Sequence, residues 1–174
     1  MLVLADVLDA DARPGRPLVY WRRAFWRLDV EHAFLSDEAT LDDFVARFHG
    51  HRMAKAEWTH GAHVAVCAYH AWGRDADATV AVMRPAILSF NESVGTANTA
   101  TSGYHETLTR LWATVVSDFL REQPAPTRWE AVRAAVDRFG EDRDLHRLYY
   151  RHDVVNDATA RASWVPPDRV PVGA

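Results

Sequence analysis

The chain has 174 residues, 48% hydrophobic and 25% charged, ordinary values for one globular domain large enough to bury a core without cross-links. Its net charge of −4 offers no overall positive field to nucleic acid, and no stretch approaches the roughly 20 apolar residues that span a bilayer. One cysteine, Cys67, excludes an intrachain disulfide; Asp6 and Asp9 interrupt the apolar start before it reaches leader length, so the expected setting is the cytoplasm.

Residues 1–37 read as an irregular arm, because Pro14, Gly15 and Pro17 break any early helix. The run LVYWRRAFWRLDV that follows interleaves Tyr20, Trp21, Phe25 and Trp26 with Arg22, Arg23 and Arg27. Such a run can stack on single-stranded nucleic acid. In an acidic protein it is better read as a segment laid over the core, aromatics inward and arginines outward.

Helical patterning begins at Thr40, a candidate N-cap, after which Leu41, Phe44, Val45 and Phe48 keep the i, i+3, i+4, i+7 rhythm up to Gly50. A second, nearly all-apolar helix is expected from Ala54 to Trp72, stopping at Gly73. A third, capped by Asp75 or Asp77, carries Val80, Met83, Ile87 and Phe90 to a close near Gly95, with Pro85 expected to kink it. The turn-rich NTATSG segment offers Thr101 and Ser102 as caps for a fourth helix. Its stripe of Tyr104, Leu108, Leu111, Trp112, Val115, Val116, Phe119 and Leu120 is the clearest in the chain. Thr127 and Glu130 form a capping box for a fifth helix ending at Gly140; short helical pieces follow near Leu145–Tyr150 and Asp157–Ser163. No alternating run suggests a sheet. The expected fold is all-α: a bundle of four or five main helices over 38–165, with an extended tail over 166–174.

The chemistry of interest lies in the histidines. At about 100° per residue, His60 and His63 point within about 60° of each other, and Glu57 lies about another 60° back on the same side. His70 falls nearly in line with His63, with Cys67 between them. Imidazoles on a buried helix are costly unless each finds a partner, whether a metal ion or hydrogen bonds. His105 sits at the edge of the fourth helix's apolar stripe, in its first turn, where burial and the helix N-terminus favour neutral imidazole. Neutral imidazole is the form that a metal ligand or a general base needs. Glu106 has a plainer explanation, an i, i+4 pair with Arg110. Cys67, flanked by Val66 and Ala68, reads as core filling. EWTHGAH lacks the H-E-x-x-H of zinc proteases, and Ser102 rather than an acid stands three before His105, which disfavours a two-metal bundle site.

The W-T-H-x-x-H run (Trp58, Thr59, His60, His63), the segment from Phe90, Asn91 and Glu92 through Ser102–Thr107, and the closing Tyr149, Tyr150, Arg161, Trp164 and Asp168 resemble a family of short all-helical bacterial hypothetical proteins. The resemblance covers about residues 53–168. It implies that His60, His63, Tyr104, His105, Glu106 and Thr107 belong to the family pattern, and it supplies no reaction.

These residues lead to the expectation of a single transition metal held by His60, His63 and His105, iron before zinc or copper, acting on a small apolar or aromatic molecule. A redox metal would make the chain an oxidase or oxygenase. Glu57, Tyr104 and Glu106 are the candidate catalytic groups, a glutamate as fourth ligand or base and Tyr104 as a phenolic donor. The alternatives are a metal-free His/Glu acid–base enzyme of isomerase or cyclase type, haem held by one inward histidine, and a non-enzymatic helical scaffold.

Overall fold

A computed structural model describes residues 32–170 and residue 172; the aromatic and basic run of the N-terminal arm lies outside them. The described residues form an all-α bundle: α1 (Glu38–His49), α2 (His60–Ala71), α3 (Ala76–Ser93), α4 (Glu106–Glu122), α5 (Arg128–Phe139) and the short α6 (Ala158–Ala162). No β-strand forms among them, and a single antiparallel bridge joins Thr99 to Ser102. No helix of the described residues is long and apolar enough to cross a membrane.

The starts of these helices follow side-chain chemistry. Asp37, rather than Thr40, caps α1: its carboxylate accepts the Thr40 N–H at 2.7 Å. Asp75 caps α3 by accepting the Ala78 N–H at 2.8 Å. Thr127 and Glu130 close the expected box on α5, Thr127 Oγ1 accepting from the Glu130 N–H and Glu130 Oε2 from the Thr127 N–H. Each such cap contributes about 1 kcal/mol by satisfying an otherwise orphaned donor. Pro85 lies inside α3, where its missing N–H leaves the Ala81 carbonyl without a helical partner; Ala81 is exposed, so water can take that role.

Two expected starts move. The second helix begins at His60, not Ala54: Lys55–Glu57 form a 3₁₀ turn, and Thr59 is the N-cap, accepting the Ala62 N–H. The fourth begins at Glu106, capped by His105 rather than Thr101 or Ser102. Both corrections bear on the site.

α2 is the central element. Eight of its twelve residues are buried, and it packs against α3, α4 and α5. Gly61, Ala62, Ala65, Ala68 and Ala71 let the neighbours come close, which is why the segment carries so little polar patterning. Phe48 and Phe90 are fully buried beside it, each contributing about 1.5–3 kcal/mol by leaving water, and Trp58 stacks on Phe48 at 4.5 Å between ring centroids. The C-terminal segment is tied to the bundle. Buried Thr107 donates through Oγ1 to the Ser163 carbonyl at 2.8 Å and accepts the Val165 N–H at 2.9 Å, while Tyr150 donates to the Val165 carbonyl.

Candidate functional site

A cavity of about 600 Å³ opens between α2, α3 and α4. Its wall is mostly apolar and aromatic: Trp58, Met83, Ile87, Phe90, Leu108 and Trp112. Exposed Lys55, Thr59 and Arg143 stand at its rim. His60, His63, His105 and Tyr104 all line it, so the sequence-predicted histidines do meet at one cavity. They meet with different commitments.

His105 is engaged on both ring nitrogens. As the N-cap of α4 its Nδ1 accepts the Leu108 N–H at 3.3 Å, and Nε2 lies 3.0 Å from the Val154 carbonyl. A carbonyl only accepts, so the proton sits on Nε2 and the ring is neutral. Burial lowers its pKa, against a smaller upward pull from the Val154 carbonyl.

His60, the first residue of α2, donates from Nε2 to the Phe139 carbonyl at 3.2 Å and meets the edge of Trp112 at 5.0 Å between ring centroids. Its Nδ1 remains an acceptor. Burial keeps its pKa low.

His63 differs from both. Its ring lies against Trp58, 3.9 Å between centroids, and neither nitrogen takes part in a hydrogen bond among the described residues, though neither is a sealed orphan, since the buried unpartnered polar atoms are Arg110 Nε, Ser117 Oγ and Arg128 Nε. It is surrounded by protein yet keeps part of its surface open to the cavity. Burial first, then the neighbouring His60 and Arg143, push its pKa down to about 3, so at neutral pH it offers one N–H and one bare nitrogen.

The two glutamates lie elsewhere. Glu57 precedes α2, so the helical projection that grouped it with His60 does not apply. Its carboxylate takes the Ala54 N–H at 2.8 Å and Arg47 at 2.6 Å, which together hold it ionised below the usual carboxylate range. Glu106 is paired not with Arg110, which goes to Asp77, but with Arg84, whose Nε and Nη2 grip both carboxylate oxygens. Burial pulls the Glu106 pKa upward, and the bonds from Arg84 and Tyr104 outweigh it. The Tyr104 hydroxyl donates to Glu106 Oε2 at 2.7 Å, and burial beside that carboxylate raises its pKa to about 12. Tyr104 therefore presents a ring to the cavity and spends its proton on Glu106.

As placed, both ring nitrogens of His105 and one of His60 are taken up by hydrogen bonds. Among the described residues no three His, Cys, Asp or Glu side chains gather as a metal-binding group. Cys67 lines the cavity wall with its thiol pushed up to about 12 by burial, so it stays protonated and unreactive. His70 turns away from the cavity to His49, Nε2 to Nε2 at 2.9 Å.

Two cavity residues escape the sequence reading. Arg143 carries no motif. Arg161 appears there only as part of the closing family-like block, and its neighbours in space, Gly103 and Tyr104, lie 58 and 57 residues away in sequence. No family model, curated protein or solved structure matches the chain. The class that fold and site define is an all-α bundle with an aromatic-walled cavity and an unpaired neutral histidine.

Proposed function

We propose that the chain binds a small molecule with a flat, largely apolar body in this cavity, and that His63 makes its polar contact without a metal ion. The observation that carries this reading is His63 itself: a neutral imidazole with both nitrogens unpartnered among the described residues, braced against Trp58 and facing about 600 Å³ of aromatic-walled space. Such volume and lining suit a molecule of two or three fused rings, and an imidazole that faces the cavity with no hydrogen bond among the described residues is free to make one to a ligand. A base with a pKa near 3 is weak, since general bases work best near the operating pH. Proton transfer at His63 therefore requires a ligand that raises its affinity, and binding comes before chemistry in this reading. His105 and His60 support the site as structural groups, and Glu57, Glu106 and Tyr104 hold its walls.

The test uses 2-naphthol and naphthalene as probes, followed by tryptophan fluorescence and by ring-proton shifts of His63. Saturable one-site binding is expected, with naphthol preferred in the wild type and the preference lost in His63→Leu. Absence of saturable binding overturns the proposal. So does one equivalent of transition metal in untagged wild-type protein that is missing from folded His63→Leu, which would restore the metal-centre reading.

A further inference from the structure

We infer that the molecule bound in this cavity carries a carboxylate, and that Arg161 is its anchor, with Arg143 adding attraction at the rim. This inference rests on the cavity being a binding site. Among the described residues the charged ones that line it are Lys55, Arg143 and Arg161, and no aspartate or glutamate does, in a chain whose net charge is −4. Several arginines away from the cavity have carboxylate partners: Arg47 has Glu57, Arg84 has Glu106, Arg110 has Asp77, Arg121 has Asp118, Arg138 has Asp142 and Arg147 has Asp144, whereas others, such as Arg74 and Arg133, are in no ion pair among the described residues. Among the ion pairs of the described residues, Arg143 and Arg161 do not appear.

Arg161 is half-buried, and its guanidinium is fixed by backbone carbonyls: Nη1 donates to Gly103 at 3.1 Å and to Tyr104 at 3.2 Å, and Nη2 to Val155 at 3.1 Å. Carbonyls orient a guanidinium without cancelling its charge. Its five N–H donors exceed these three bonds, and Nε–H makes no hydrogen bond among the described residues, which leaves donors for a carboxylate. Most nearby carboxylates are committed: Glu106 to Arg84 and Tyr104, Asp157 to the N–H groups of Thr159 and Ala160, Asp142 to Arg138; exposed Glu141, close enough to act on His60, lines no part of the cavity. A partly desolvated cation without a counter-charge costs energy that a bound anion recovers.

The backbone reinforces the charge. Thr59 and His60 at the start of α2, and His105 with Leu108 at the start of α4, both line the cavity, so two helix N-termini add positive potential there. An apolar wall, a fixed arginine and no competing anion together define a site for an aromatic or similarly flat carboxylate.

The test compares 2-naphthoate with the neutral, near-isosteric 2-naphthamide by calorimetry at pH 7. Naphthoate is expected to bind about tenfold tighter or more, as a charge-assisted pair gives. The ratio should fall towards one in Arg161→Gln and be largely kept in Arg161→Lys. Arg161 also ties carbonyls together, so a second variant guards against misfolding of Arg161→Gln: the Arg143 side chain makes no hydrogen bond or ion pair among the described residues, and Arg143→Gln should lower naphthoate affinity and flatten its salt dependence with naphthamide affinity unchanged. Equal affinities for naphthoate and naphthamide in the wild type overturn the carboxylate inference while leaving the cavity reading intact. Failure of both to bind removes the cavity reading, and this inference with it. An unchanged naphthoate preference in folded Arg161→Gln removes Arg161 as anchor.

Discussion

Acidification should unfold this protein partly through His63. Its pKa is about 3 in the folded chain against an ordinary value of 6.5. Between those values the unfolded chain binds the proton and the folded chain does not, so stability falls as pH drops through 6.5 and stops falling only near 3. One unit is worth about 1.4 kcal/mol, so from pH 7 to pH 5 His63 alone removes about 2 kcal/mol, allowing for its partial protonation in the unfolded state near 6.5. His49, His60, His70 and His105 are also lowered, chiefly by burial, and act in the same direction. The carboxylates of Asp37, Glu57 and Glu106 are lowered as well, and their contribution is lost further down. The clean measurement is therefore a difference. Urea unfolding at pH 7, 6 and 5 and constant ionic strength, for wild type and His63→Gln, isolates one site. The variant should lose about 2 kcal/mol less than wild type between pH 7 and 5. Identical losses would refute the assignment of a buried, neutral, unpartnered His63, and with it the polar contact of the proposed site.

Thr107→Val should cost about 1–3 kcal/mol, since it leaves both the Ser163 carbonyl and the Val165 N–H without their partner; urea unfolding gives the magnitude, and faster hydrogen exchange at Val165 locates it. Glycines 95 and 103 make a controlled pair. Both have φ near +70°, at +70° and +75°, but a Cβ at Gly95 meets nothing within 4 Å, whereas at Gly103 it falls 2.6 Å from Asn98 Oδ1 and 2.7 Å from the Ala97 carbonyl. Gly95→Ala should cost about 1 kcal/mol of backbone strain, and Gly103→Ala at least about twice that with loss of the Asn98-to-Tyr104 N–H bond; equal melting temperatures would contradict the packing at Gly103.

The main helices were legible because burial imposes period. Leu41, Phe44, Val45 and Phe48 are all buried on α1, and Leu111, Val115, Val116, Phe119 and Leu120 on α4. The misplaced starts have a common cause. Cap preferences are ranked on hydroxyl and carboxylate oxygens, so Thr101 and Ser102 outrank a histidine. A neutral imidazole nitrogen is an equally available acceptor when the ring's other nitrogen has a fixed partner, and the Val154 carbonyl, 49 residues from His105, supplies it. At α2 the apolar run conceals a 3₁₀ turn over Lys55–Glu57, and a helical wheel drawn through that turn wrongly groups Glu57 with His60.

The same reasoning explains why the site was half legible. A histidine on an apolar helix states a need for a partner, but the partner's identity depends on what the fold brings within 3 Å, and carbonyls serve as well as a metal. Phe139 is 79 residues from His60, and no local pattern predicts that meeting. Charge balance was hidden for a related reason. Arg143 and Arg161 look like surface arginines in a sequence with 24 acidic residues to pair with them, and only the three-dimensional placement shows that these two line the cavity without an ion pair among the described residues. The chemistry of the site thus follows less from the residues that gather there than from the pairings its neighbours have already made. On the wall of this aromatic cavity, His63 makes no hydrogen bond and Arg161 no ion pair among the described residues, one group neutral and one cationic. A flat carboxylate can meet both needs, with hydrogen bonding at one group and charge at the other.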